Sequence, residues 1–142
     1  MFELDISNKK HQELLKKYEE ENDKINIQKR YDKSSNEQNI YLCFEKDDMI
    51  TDVVLIQCMK DVKSCMITYL KKNKKNKDVI LSSTNYALNT LGMEEAFINI
   101  EKSDKKIMAF LEKMNYESLG EENGYMLYLK EKSEILIRER II

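Results

Sequence analysis

The 142-residue chain has no proline, three glycines and a single histidine. With no proline and so few glycines, each of Gly92, Gly120 and Gly124 is expected to mark a particular turn. The lone His11 leaves no partner for a Cys-His nucleophile system, and it falls beside the inner face of a helical pattern. The three cysteines, Cys43, Cys58 and Cys65, are odd in number, lack CxxC spacing and sit in apolar strand-like runs. They read as small buried hydrophobes of a reducing compartment, which argues against a disulfide framework and against a zinc or other metal site. No apolar run approaches the length of a membrane span, and the start MFELDISNKK lacks the cationic and apolar regions of a signal peptide. A cytoplasmic protein with no membrane partner is expected. A net charge of -2 gives no overall pull toward nucleic acid, and one short lysine run without interleaved aromatics is no nucleic-acid footprint.

What is present describes one folded domain. Hydrophobic residues make up 42% of the chain and charged residues 35%, enough for a core under a well-solvated surface. The mean hydropathy of -0.64 agrees. One domain is expected over residues 1–132, with residues 133–142 as a C-terminal extension.

In chain order, Phe2, Leu4 and Ile6 alternate with acidic residues as a short strand. Ser7 or Asn8 can cap a helix carrying Leu14, Leu15 and Tyr18 on one face, which runs out in the acidic Glu19 to Asp23. The polar Asp32 to Asn39 reads as a connection. Ile40, Leu42 and Phe44 alternate, the turn Lys46-Asp47-Asp48 follows, and MITDVVLIQCM has the density of a central strand. A turn near Lys60-Asp61 leads to Val62–Leu70, the next strand of an antiparallel meander. Lys71 to Lys77, KKNKKNK, is the only low-complexity run. Taken alone it is a solvated loop. It leads into a helix through Thr90 that Asp78 could cap and Gly92 could stop, so it lies where backbone amides, the helix dipole and lysines would hold an anion. Ile98 and Ile100 then mark a strand, Ser103-Asp104 a cap, and Ile107, Met108, Phe110, Leu111 and Met114 the apolar face of a helix over Lys105 to Met114. The closing SEILIRERII, Ser133 to Ile142, reads as an extra edge strand, a short amphipathic helix or a homodimer contact.

The run from Thr90 to Lys130 resembles the C-terminal half of the GNAT superfamily of N-acetyltransferases. Ile98 and Ile100 fall on its aliphatic strand positions, Asp104 on the asparagine that begins helix four, Ile107 on its alanine and Phe110 to Tyr116 on its closing run, without a gap. Tyr116 to Leu119 and Tyr125 to Lys130 resemble its last two strands, joined through Gly120 to Gly124. The resemblance covers roughly residues 40–130. It implies an α/β (α+β) fold with a mixed, mostly antiparallel central sheet of about six to seven strands and about three to four flanking helices. It implies acetyl-CoA as cofactor, the backbone of Ile67, Thr68, Tyr69 and Leu70 lining its pantetheine arm, and Lys74, Lys75, Asn76, Lys77 and Asp78 holding its pyrophosphate, with Asp104 nearby. It also implies an acceptor, a primary amine of a small molecule or protein, entering from the side of the first helix and the loop after it.

The catalytic positions of the family carry other residues here. The glycines of the pyrophosphate turn are absent, with Asn73 and Asn76 the residues there that best tolerate positive φ. The tyrosine of helix four is Leu111, and the acidic residue some members carry on strand four falls near Met66. No catalytic residue is assigned; Tyr69 and Tyr125 are the tyrosines considered for the cleft, and core or surface packing is the favoured reading of each. Two functions follow: an acyl-CoA-dependent N-acyltransferase, or a GNAT-like binding or assembly module without catalysis.

Overall fold

The computed structural model describes residues 1–22, 25–33, 38–71 and 74–132, so the expectations for Ser133 to Ile142 lie outside the described residues. The elements run β1 (Phe2–Glu3), α1 (Lys9–Glu21), α2 (Ile27–Lys33), β2 (Asn39–Lys46), β3 (Met49–Met59), β4 (Ser64–Tyr69), α3 (Lys77–Asn85), β5 (Glu95–Glu101), α4 (Lys105–Lys113), β6 (Glu117–Glu122) and β7 (Tyr125–Glu131). The strands form one seven-stranded sheet in the order β1-β2-β3-β4-β5-β7-β6. The β4–β5 pair is parallel and every other pair antiparallel.

Helices cover both faces of the sheet's centre, which is why β3 reads as a nearly unbroken apolar run. Successive side chains of a strand point to opposite faces. Val54, Ile56 and Cys58 join the core beneath α3 and α4, with Ile67, Ile98, Ile107, Leu111 and Tyr128. Val53 and Leu55 face α1 and α2, with Leu14, Leu15, Tyr18 and Ile27. The β2–β3 hairpin closes through Asp47 and Asp48, both at positive φ (54° and 60°), the pair of left-handed residues that a tight two-residue hairpin turn requires. β4 returns to β5 through α3, the crossover a parallel pair needs.

Asn8 caps α1, accepting from the amides of Lys10 and His11, and Asp104 caps α4, accepting from that of Ile107 at 3.2 Å. Several expected boundaries move. The first strand is two residues long. Val62 is exposed in a turn that Lys63 closes at φ 50°, so β4 begins at Ser64. The cap of α3 is Asn76, whose side chain takes the Asp78 amide at 2.8 Å; Asp78 itself lies in the first turn. The helix then changes at Tyr86–Thr90 to a π-helical turn before Gly92. α2 was not expected at all; it buries Ile27 and sets Tyr31 5.7 Å from Tyr41. Of the two glycines expected in the last turn only Gly124 is there, paired with Asn123 at positive φ; Gly120 sits inside β6 at a register shift.

All three cysteines are buried and unpaired. His11 accepts from the Asp5 amide at 3.0 Å and rests 4.4 Å from the Phe2 ring, a packing role. Among the described residues no helix is long and apolar enough to cross a membrane.

Candidate active site

The sheet opens where its one parallel pair ends. β4 and β5 are in register from Ser64↔Glu95 to Ile67↔Ile98 and no further. Beyond that point β4 stays paired with β3 as far as Tyr69, and β5 stays paired with β7 as far as Glu101. Between them lies a wedge whose walls are the facing edges of Thr68–Tyr69 and Asn99–Glu101. Backbone groups along such edges have no ladder partner and are available to a ligand.

On the α3–α4 side lies a cavity of about 700 Å³, linked to the β5 wall of the wedge by the contact of Lys75 with Glu101. Lys74 and Lys75 line the cavity from the segment before α3 and Lys77 from the first residue of α3, Asp104 from the cap of α4 and Ile107 and Phe110 from α4 itself. Lys106 and Ala109 complete the α4 wall, which makes four lysines to one carboxylate. The Lys77 ammonium lies 5.1 Å from the centre of the Phe110 ring, and the Lys75 ammonium reaches Glu101 at the end of β5, 3.6 Å away. The cationic segment thus spans the mouth of the wedge from the β4 side to the β5 side.

On the opposite face, the side of α1, a second cavity of about 370 Å³ lies against the same wedge. Met66, Asn99, Tyr125 and Leu127 line it, with Glu121 and Glu122 at its rim. Glu121 is held by Lys102 at 2.5 Å.

The residues expected at the site therefore divide. Lys74, Lys75, Lys77 and Asp104 are brought to one cavity. Asn76 is extended (φ -98°) and spends its side chain capping α3, so it does not replace a glycine; among the described residues of the turn Lys74 is left-handed at φ 53°, and Asn73 lies outside the described residues. Asp78 is exposed in the first turn of α3 and is not among the residues lining the cavity. Ile67 is 1% exposed and Leu70 packs into the α1-side core, so neither offers its side chain to the wedge. Thr68 alternates to the α1 face and Tyr69 to the α3 face. Lys106, Ile107, Ala109 and Phe110 were not expected at the site. Their signal was the polar-side and edge spacing of α4, visible only once α4 is known to face the loop before α3.

The two catalytic positions are occupied as their residue types dictate. Leu111 is fully buried in the core and is not among the residues lining either cavity. Met66 faces the α1-side cavity with no group that can take a proton. Tyr125 is 44% exposed in that cavity. The Tyr116 hydroxyl donates to Thr84 Oγ1 at 2.8 Å, and burial pushes its ionisation upward.

Tyr69 is engaged on both sides. Its hydroxyl donates to Asp52 Oδ1 and accepts the Asn76 amide at 3.0 Å. Burial, then the bond to the Asp52 carboxylate, drives its ionisation well above the usual phenol range. Asp52 is itself 4% exposed and takes the Lys71 ammonium at 2.9 Å. Beneath this group the Tyr18 hydroxyl donates to the Leu70 carbonyl. The signal in the sequence was Asp52 itself, a lone carboxylate inside the apolar run of β3.

A profile of the family described as Acetyltransferase (GNAT) domain matches residues 3–134. Among solved structures, the Campylobacter jejuni N-acetyltransferase PseH in complex with acetyl coenzyme A is similar at 18% identity, covering 93% of this chain and 97% of that one with a TM-score of 0.65. The spermidine/spermine N-acetyltransferase SpeG from Vibrio cholerae, in complex with manganese ions, is 13% identical over 79% of this chain and 76% of that one, with a TM-score of 0.63. FdhC, a nucleotide-linked sugar GNAT in its apo form, is 21% identical over 81% and 69%, with a TM-score of 0.58. No curated protein matches the sequence.

Proposed function

Given that the chain belongs to the GNAT acetyltransferase domain family, we propose that it transfers an acetyl group from acetyl-CoA to a primary amine. The observation that carries this is the wedge that opens beyond the Ile67–Ile98 pair, with a four-lysine cavity beside it on one face and a separate cavity against Asn99 on the other. The residues present fit the coenzyme. Cations beside a helix N-terminus suit a diphosphate, and an unpaired strand edge suits the amides of a pantetheine arm. When bound, acetyl-CoA supplies an activated thioester carbonyl.

The chain's part is positioning. Lys74, Lys75, Lys77 and Lys106 would hold the diphosphate end, and the edge of Thr68–Tyr69 would align the arm through the wedge. The amine would approach on the α1 face beside Met66 and Asn99. With Leu111 in the core and Met66 at the wedge, no side-chain acid or base is assigned. The amine then has to arrive unprotonated and lose its proton to water, and rate comes from bringing the two reactants together. The acceptor is a small-molecule or protein amine, and spermidine and a nucleotide-linked sugar that carries an amine are the first to try, because solved structures of this fold include a spermidine/spermine N-acetyltransferase and a nucleotide-linked sugar GNAT. Three buried free thiols suit a reducing compartment, so a cytoplasmic setting is part of the proposal.

The same Leu111 and Met66 favour a second reading, a coenzyme-binding module without turnover. Calorimetric titration with acetyl-CoA, followed by release of free thiol in the presence of each amine, separates the two. Binding with amine-dependent thiol release supports the transferase. Binding without release for any acceptor supports the module. No binding at millimolar coenzyme overturns both.

A further inference from the structure

We propose that Tyr69 is a positioning residue, its hydroxyl holding the anion-binding turn before α3 in register with the sheet. The inference rests on the coenzyme reading of that turn. In the family pattern glycines shape this segment, and here it has none, so something else must fix its path. The connections that do so converge on one carboxylate. Asp52, buried on β3, receives Lys71 at the start of the segment at 2.9 Å and the Tyr69 hydroxyl from the end of β4. The same hydroxyl accepts the amide of Asn76, the residue that caps α3, at 3.0 Å. The segment from Lys71 to Asn76 is thus tied at both ends to β3, once by an ion pair and once through a phenol.

The ties decide where the cations stand. Lys74, Lys75 and Lys77 all lie within two residues of Asn76 in sequence and all line the cavity. If Asn76 leaves the sheet, the ammonium groups and the first turn of α3 move together. The hydroxyl is suited to a permanent link. It donates to a carboxylate that is also paired with Lys71 and accepts from an amide, so both its donor and an acceptor capacity are used. Burial beside Asp52 keeps it protonated, so the link persists across the pH range in which an amine acceptor would react. A tyrosine tied in this way is not free to deliver its proton to a leaving thiolate, so the role is one of placement.

Tyr69→Phe removes the hydroxyl and leaves the ring packed and Asp52 still paired with Lys71, so the variant is expected to fold. Amide hydrogen exchange resolved at Asn76 is expected to quicken by about tenfold or more, while β3 and β5 stay protected. Coenzyme A is expected to bind about tenfold more weakly, while S-acetylpantetheine, which lacks the diphosphate, binds as it does to the unaltered chain. Unchanged exchange at Asn76 overturns the inference, and so does an equal loss of affinity for both ligands. Should the unaltered chain bind no coenzyme A, the coenzyme reading fails instead, and the exchange rate at Asn76 still decides whether the hydroxyl holds the turn.

Discussion

Replacing Lys74, Lys75 and Lys77 together by Ala puts the coenzyme site to a quantitative test. The three side chains line one cavity and face the same volume, so a diphosphate held there would lose three nearby charges at once. Partly solvated charge contacts are worth about 0.5–1 kcal/mol each, which sums to about 1.5–3 kcal/mol and weakens binding by about 10- to 100-fold. The fold should hardly notice. Lys75 forgoes a surface ion pair with Glu101, worth about 0–1 kcal/mol, and Lys77 a contact with Phe110 worth about 0.5–1 kcal/mol. Relief of repulsion among neighbouring lysines offsets part of that, leaving a net change within about 1 kcal/mol and a Tm within about 2–4 °C of the parent. The assay is isothermal titration with coenzyme A at low and high salt. The unaltered chain should lose affinity as salt rises, and the triple variant should respond much less. Equal affinity in the two proteins, or an equal loss for S-acetylpantetheine, would refute the placement of the diphosphate.

Leu111→Ala is expected to cost about 2–5 kcal/mol in a urea titration, because Leu111 is fully buried beneath α4; a cost under about 1 kcal/mol would mean the side chain is not core. Asp104→Ala should act in opposite directions on two measurements, lowering stability by about 0.5–2 kcal/mol through loss of the α4 cap while tightening coenzyme A binding by removing the cavity's one carboxylate. If both fall, Asp104 contacts the ligand favourably. Burial pushes the Cys43 and Cys65 thiols up to about 12, against an ordinary thiol near ~8.5. Between those values the unfolded chain gives up protons that the native chain keeps, so stability should fall as pH rises from about 9 toward about 12. Urea midpoints measured across that range check the sign, and a Cys65→Ala variant should show a shallower fall; a rising midpoint would contradict it.

Much of the fold was legible because local patterns and long-range structure agree. The β2–β3 hairpin, the α1 face and the capped α4 each carry their signal within a dozen residues, and each appears where the pattern put it. α2 was not legible, since Ile27 and Tyr31 give one helical repeat over seven residues, too little to distinguish from a connection. The position of the α3 cap was misread for a physical reason. Asp78 and Asn76 are both good caps, and the Asn76 amide is the one bound by a hydroxyl from the sheet, which no local pattern reveals. β6 is exposed along its whole length, so ESLGEE shows no alternation, and only its hairpin partner β7 identifies it as a strand.

The site was legible to the extent that its residues are neighbours in sequence. The lysine run was read as an anion loop from its place before a helix, and its three described cavity lysines do meet Asp104 around one space. Its other wall was hidden, because Lys106 and Phe110 belong to a helix whose nearness to the loop is tertiary. The wedge was hidden too, since a sequence does not state which strands pair or where pairing stops; it exists because β4 follows β3 to Tyr69 while β5 follows β7 to Glu101. Leu111 shows how the two kinds of information separate. Aligning it with the family tyrosine placed it correctly on α4, yet the leucine turns into the core, so that position supports the fold and supplies no proton. Under the proposed function, the chain would contribute what strand geometry and loop charge can provide. That is why the tests with most power are those that move the turn before α3, through its lysines or through Tyr69, and not those that look for a missing acid.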